Sequence, residues 1–195
     1  MPVEPESVPA SELTPPRSEV ERKTREWVRT FVVGLNLCPF ARPLIASDAL
    51  RLIVCEATED EDVAAALLDE IELIQKASEE EVATTLIVFP NALKQFEDYL
   101  AFLDGANQLL EEMELLGVLQ LASFHPDYQF AGEPEDAASH YTNRAPFPMI
   151  HLLREDMVTR ALETFPNPEQ IPERNIQTLD ALGRERIHQM LASLV

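Results

Sequence analysis

Apolar positions recur along this chain with two different periods. Val20, Trp27, Val28, Phe31, Val32 and Leu35 fall on one side of a 3.6-residue helix, and Ser18 followed by Glu21 forms a capping-box pattern, which predicts a first helix over 18–35. Residues 50–55 and 84–89 are short β-branched and apolar runs, the second closed by Pro90, and both read as strands. Between them Val63, Leu67, Ile71 and Ile74 mark one face of a helix. Asn91 is placed to cap a long helix carrying Leu93, Phe96, Leu100, Leu103 and Leu110, which ends before Gly117. Residues 118–124 read as a third strand and 149–153 as a fourth, followed by a helix near 156–164. Pro172 opens a last helix with Ile176, Leu179, Ile187, Met190 and Leu191 towards its buried side.

Strands alternating with helices of this length are the signature of βαβ units. The pattern predicts an α/β fold: a single layered domain over 17–195, its three- to four-stranded sheet flanked by helices. Periodicity disappears over 125–148, a long irregular loop after the third strand, rich in His, Tyr, Phe, Asn, Arg and Pro. Loops of that length in a compact domain are often functional. Residues 1–16 hold five prolines and few large apolar side chains, and are expected to be a flexible tail rich in Pro and Glu.

Composition narrows the function classes. The 195 residues are 46% hydrophobic, enough to bury a core, and carry a net charge of −20. That charge argues against nucleic acid or an anionic membrane as partner, since both require a basic surface. The five glycines are too scattered to write a dinucleotide fingerprint or a P-loop. Two cysteines, Cys38 and Cys55, with no long apolar span, point to a reducing, cytoplasmic setting and free thiols. The charge is uneven: residues 56–81 carry net −10, whereas residues 22–42 carry net +4.

Four short segments carry the candidate chemistry. His125 directly follows the third strand, where α/β sheets place their ligands, and is a candidate general acid or base. Cys38 is a candidate nucleophile if a cation or a helix N-terminus lowers its pKa; it would be an N-cap if Pro39 opened a new turn, and Arg42 would add positive charge. The bland alternative for Cys38 is burial between Leu37 and Phe40. Arg144 and Arg154 offer planar donor forks for a carboxylate or phosphate, with Asn36, Asn143, Tyr128 and His151 as further ligand contacts. In the structural alternative the arginines tie the long loop in place and His151 is a core histidine. His140 and His188 read as solvated, and Cys55 as packing. Cys38, His125 and His151 lack tight ligand spacing, so a metal would have to be held by distant loops, and no metal ligand is assigned. Which cofactor, if any, the chain uses is not legible in the sequence.

The segments Gly34-Leu35-Asn36-Leu37-Cys38-Pro39-Phe40-Ala41, Ser123-Phe124-His125-Pro126 with Tyr128 and Phe130, Tyr141-Thr142-Asn143-Arg144 with Pro146 and Pro148, and His151-Leu152-Leu153-Arg154-Glu155 stand in order along the chain. Together they resemble the family catalogued as domain of unknown function 1415, mostly small bacterial proteins, over about Val20 to Leu191. The resemblance implies an identity without an activity, so function rests on the residues. They support a site for a small anionic molecule, catalytic in its enzymatic version, built from the Cys38 turn, the His125 strand end and the Asn143 to Arg154 segment. The alternative is a non-enzymatic protein whose acidic surface meets a basic partner. Oligomeric state is not legible in the sequence.

Overall fold

The computed structural model describes residues 15–47 and 49–194, so nearly all of the expected tail at 1–16 lies outside the described residues. Four strands, β1 (Leu50–Val54), β2 (Thr84–Val88), β3 (Leu119–Phe124) and β4 (Met149–Arg154), form one sheet in the order β1-β2-β4-β3. β1 and β2 are parallel, whereas β4 is antiparallel to both of its neighbours, so β3 runs the same way as β1 and β2. The carboxyl ends of β1, β2 and β3 and the entrance to β4 therefore share one edge of the sheet. The exit of β4 at Arg154 lies at the other.

Side-chain alternation divides the core between the two faces. On one face Ile87, Phe89, Ile150 and Leu152 pack against Val63, Leu67, Ile71 and Ile74 of α3 (Asp60–Lys76) and Tyr99 and Leu110 of α4 (Phe96–Glu112). The other face carries Leu52, Val54, Leu86, Val88 and Met149. It is covered by α1 (Arg17–Trp27), a π-helical turn (Val28–Val33), and α6 (Ile171–Leu182) with α7 (Arg184–Ala192); α2 (Ala41–Ala46) adds Ile45. A helix α5 (Glu155–Thr164) succeeds β4. Tyr99 ties α4 to the sheet, donating to the Met149 carbonyl at 2.7 Å and accepting from Phe124 N–H at 3.0 Å. Among the described residues no helix is long and apolar enough to cross a membrane.

The α/β architecture and its four strands match the sequence pattern, but three helix boundaries do not. The first helix has Pro16 rather than Ser18 at its N-cap, with no side-chain cap bond, and it widens into the π-helical turn at Val28. Asn91 caps nothing: it donates to the Glu56 carbonyl at 2.8 Å, and α4 begins only at Phe96. The last helix is two, because Gly183 adopts φ 79°, a left-handed backbone that breaks α6 from α7.

The π-helical turn directs the chain as far as Leu37. Leu37 N–H reaches back five residues to the Val32 carbonyl at 2.8 Å, so the widened winding continues past Gly34. A Cβ on Gly34 would overlap the Thr30 carbonyl oxygen and lie 2.8 Å from its carbon. The constraint is steric, since φ at Gly34 is an ordinary −63°. Gly34→Ala is therefore expected to lower stability by about 2–4 kcal/mol in urea unfolding. Gly105, in α4 with nothing within 4 Å of an added Cβ, is the control. Gly105→Ala should raise stability by about 0.5–1 kcal/mol, and equal effects from the two changes would contradict the steric account.

Candidate functional site

Two adjoining spaces lie on the face covered by the π-helical turn. The outer one is a crevice of about 650 Å³ between the Leu37–Cys38 turn, the long loop and α6. The inner one, about 90 Å³, lies between the sheet and the π-helical turn with α2. Val32, Cys38 and Phe124 line both, so the spaces meet at these three side chains. The frame is fixed by short bonds. Buried Asn175 of α6 donates to the Leu37 carbonyl at 2.7 Å, and Asn143 donates to the Ser123 carbonyl at 2.9 Å. Trp27 and Phe124 meet edge to face with centroids 5.2 Å apart.

The polar groups of the crevice are uncharged apart from Glu133. They are the Cys38 thiol, Thr142, Asn143, Asn175 and Ser139, whose buried hydroxyl has no partner. No Lys, Arg or His occurs among the described residues that line it. Burial pushes the Cys38 thiol above the usual range, an effect only partly offset by the Phe40 and Ala41 backbone N–H groups. Cys38 precedes a turn, with Phe40 at the N-cap of α2, so it is neither a helix cap nor a preformed thiolate.

In the inner space Thr84 and His151 interrupt a hydrocarbon wall that includes Val28, Leu44, Ile45 and Leu86. Thr84 Oγ1 donates its single proton to the Leu152 carbonyl at 2.6 Å. It must therefore accept from His151 Nε2–H, 2.5 Å away, which leaves Nδ1 as an acceptor. Burial pushes the His151 pKa down to about 4, so the ring is neutral at pH 7. Among the described residues no hydrogen bond joins Cys38 to His151 and no protein group pairs with Nδ1.

Cys38, Asn143 and His151 are thus brought together, and the other sequence candidates are not. His125 is 0% exposed: its Nδ1 accepts from Asp127 N–H at 3.0 Å and its Nε2–H donates to the Leu93 carbonyl at 3.1 Å. Burial lowers its pKa, and with both nitrogens occupied it has no lone pair or proton to offer a substrate. Arg144 donates to the Tyr128 carbonyl at 3.1 Å and lies 4.5 Å over the Tyr141 ring, inside the loop. Arg154 sits at the opposite edge of the sheet, about 16 Å along β4 from its entrance. There its guanidinium serves the carbonyls of Ile74 and Ala77 at the end of α3 and of Val82 just before β2. Tyr128 bonds the Ser123 hydroxyl at 3.1 Å and packs on Phe96 and Phe130. Asn36 is exposed, with φ 54° in the turn, and Arg42 is exposed on α2. His140, expected in solvent, is buried and bonds Phe130 N–H and the Pro134 carbonyl. Cys38 and Cys55 are free thiols.

Sequence reasoning missed Trp27, Thr84, Ser139 and Asn175. Thr84 had a signal, a hydroxyl at the start of an otherwise apolar strand. Trp27 had none, because its spacing is that of an ordinary core residue.

The family model described as "Protein of unknown function (DUF1415)" matches residues 19–189. No curated protein and no solved structure matches the chain.

A histidine held neutral binds fewer protons folded than unfolded, so its contribution is complete above about pH 6.5 and is lost as pH falls towards about 4. The shift corresponds to about 3 kcal/mol. Between pH 7 and pH 4.5 the native chain should therefore lose more urea stability than His151→Leu, and parallel losses would contradict the assignment. Arg154→Met strips three carbonyls of their donor and should cost about 2 kcal/mol of stability, without changing ligand affinity at the crevice in a direct titration.

Proposed function

We propose that this chain, which belongs to the DUF1415 family, binds a small, uncharged, largely apolar molecule in the crevice beside the inner cavity. One observation carries the reading: the two spaces share Val32, Cys38 and Phe124, and apart from Glu133 every polar group lining them is neutral. An anion entering there would lose its hydration without gaining a cation, which is costly in an apolar enclosure. The reading thus keeps the small-molecule site expected from the motifs and changes its charge class. In an enzymatic version Cys38, at the junction, is the group able to form a bond to the ligand. Its thiol would first have to lose a proton that burial makes it hold. The reading suits a reducing, cytoplasmic compartment, in keeping with two free cysteines.

Ligand-detected NMR with the matched pair methyl benzoate and benzoate tests the charge class. The native chain should bind the ester at least about tenfold more tightly than the anion, a difference of about 1.4 kcal/mol. Ile176 lines the crevice and is 38% exposed, so Ile176→Arg should fold normally and reverse the preference. Tighter binding of benzoate by the native chain would overturn the reading.

A further inference from the structure

In the strand order β1-β2-β4-β3 only β4 pairs with β3, so β3 is an edge strand. Which of its backbone groups face outward follows from the bonds at its two ends. Glu155 N–H donates to the Val118 carbonyl at 3.0 Å, and the Tyr99 hydroxyl bridges the registered pair Phe124 and Met149, accepting from the N–H of the first and donating to the carbonyl of the second. Even-numbered residues thus turn their backbone groups towards β4. Because the direction alternates along a strand, Leu119, Leu121 and Ser123 turn theirs away. Two of those outward groups are used inside the chain: Leu119 N–H donates to the Leu115 carbonyl at 3.0 Å, and the Ser123 carbonyl accepts from Asn143 at 2.9 Å. Among the described residues Leu119 C=O, Leu121 N–H, Leu121 C=O and Ser123 N–H have no partner. Residues 120–124 are half-buried rather than buried, and β3 holds no charged residue and no proline, so the edge lacks the devices that ordinarily prevent strand pairing. Just before it stand Leu116 and Val118, 62% and 51% exposed, more than any other large hydrophobic side chain among the described residues.

From this pattern we infer that the free edge of β3 docks a second copy of this chain, the two β3 strands lying antiparallel about a twofold axis at Leu121 and joining two four-stranded sheets into one. In that arrangement every unpaired outward group of β3 finds a partner. Leu121 N–H and C=O exchange bonds with Leu121 of the second copy, and Ser123 N–H of each copy donates to Leu119 C=O of the other. The ladder stops at both ends without a loose group, because the Leu119 N–H and Ser123 carbonyl that would extend it are the two already used within the chain. Val118 of each copy then stands beside Phe124 of the other, with Leu116 in the turn before it, so the exposed apolar pair is drawn into the interface at both ends. Each copy carries a net charge of −20, which opposes the pairing, but β3 itself carries none, so the repulsion is diffuse and salt screens it. A basic partner strand on the same edge would have the opposite salt dependence. The surface is small, which makes the pair a reversible, micromolar one. This assembly does not depend on what the crevice binds.

Sedimentation velocity of the full chain over about 1–200 μM tests the pairing, since the population of a dimer follows concentration. A species of twice the 22.0 kDa chain mass should appear at the upper concentrations, and raising salt from about 0.05 to about 0.3 M should increase its fraction. The double variant Leu116→Lys/Val118→Lys, at two exposed positions, should raise the dissociation constant at least about tenfold, whereas Ala65→Lys, exposed on α3, should leave it unchanged. Hydrogen exchange at single amides locates the interface: Leu121 and Ser123 N–H should slow as the native chain dimerises, a readout that stands even if the double variant fails to fold. A monomer at every concentration and salt, a dimer that salt weakens, or a dimer in which the Leu121 and Ser123 amides exchange as in the monomer would overturn the inference.

Discussion

At Gly34 the backbone passes so close to the Thr30 carbonyl that a side-chain carbon there would overlap it. That close approach lets the first helix widen into the π-helical turn and lets Leu37 bond back to Val32. The next turn is clamped by Asn175 on the Leu37 carbonyl, which fixes Cys38 where the outer crevice meets the inner cavity. An ordinary α-helix would carry the chain onward with a different register, and Val32 and Cys38 would not face a common space. Insertion of a π turn is a recurrent way for a helix to create a functional irregularity, and here it leaves the wall of a cavity.

The opposite treatment is given to the long loop over 125–148. Beyond the short 3₁₀ turn Ala138–Thr142 it has little regular structure, so side chains supply part of its backbone bonding. His125, His140, Arg144 and Asn143 all act in this way, each holding a backbone group of the loop or of the strand end. Arg154 does the same at the far edge for the end of α3. These residue types are also the ones used for catalysis, which explains why they attract a functional reading. Here their donors and acceptors are consumed internally. Among the described residues the buried side-chain atoms left without a partner belong to Thr24, Trp27, Thr85, Asn91, Ser139 and Arg174, and of these residues Trp27 and Ser139 line the two spaces.

Strands and the long helices were legible because their apolar period is strong: residues 50–54 and 84–88 form β1 and β2, and the Val63 to Ile74 stripe is the buried face of α3. The widening at Val28 was not, since α- and π-helical turns bury similar residues over so short a span. Nor was the antiparallel insertion of β4 between β2 and β3, which local pattern does not encode. His125 was correctly placed at a strand end, but only the folded chain reveals that Asp127 and Leu93 occupy both of its nitrogens. Arg154 was misplaced because the direction of β4 decides which edge it reaches.

The chain therefore combines a net charge of −20 with an interior site whose polar groups are almost all neutral. Acidity keeps the surface solvated, while Val32, Cys38 and Phe124 border both the outer crevice and the inner cavity. The central claim is that the crevice bordered by Val32, Cys38 and Phe124 takes a neutral guest in preference to an anionic one. The most direct measurement is a two-dimensional ¹H–¹⁵N spectrum of the native chain titrated separately with methyl benzoate and with benzoate, followed at the backbone cross-peaks of Cys38 and Asn143. The ester should move these peaks saturably at concentrations where the anion leaves them in place. Saturable movement with benzoate and none with the ester would contradict the account.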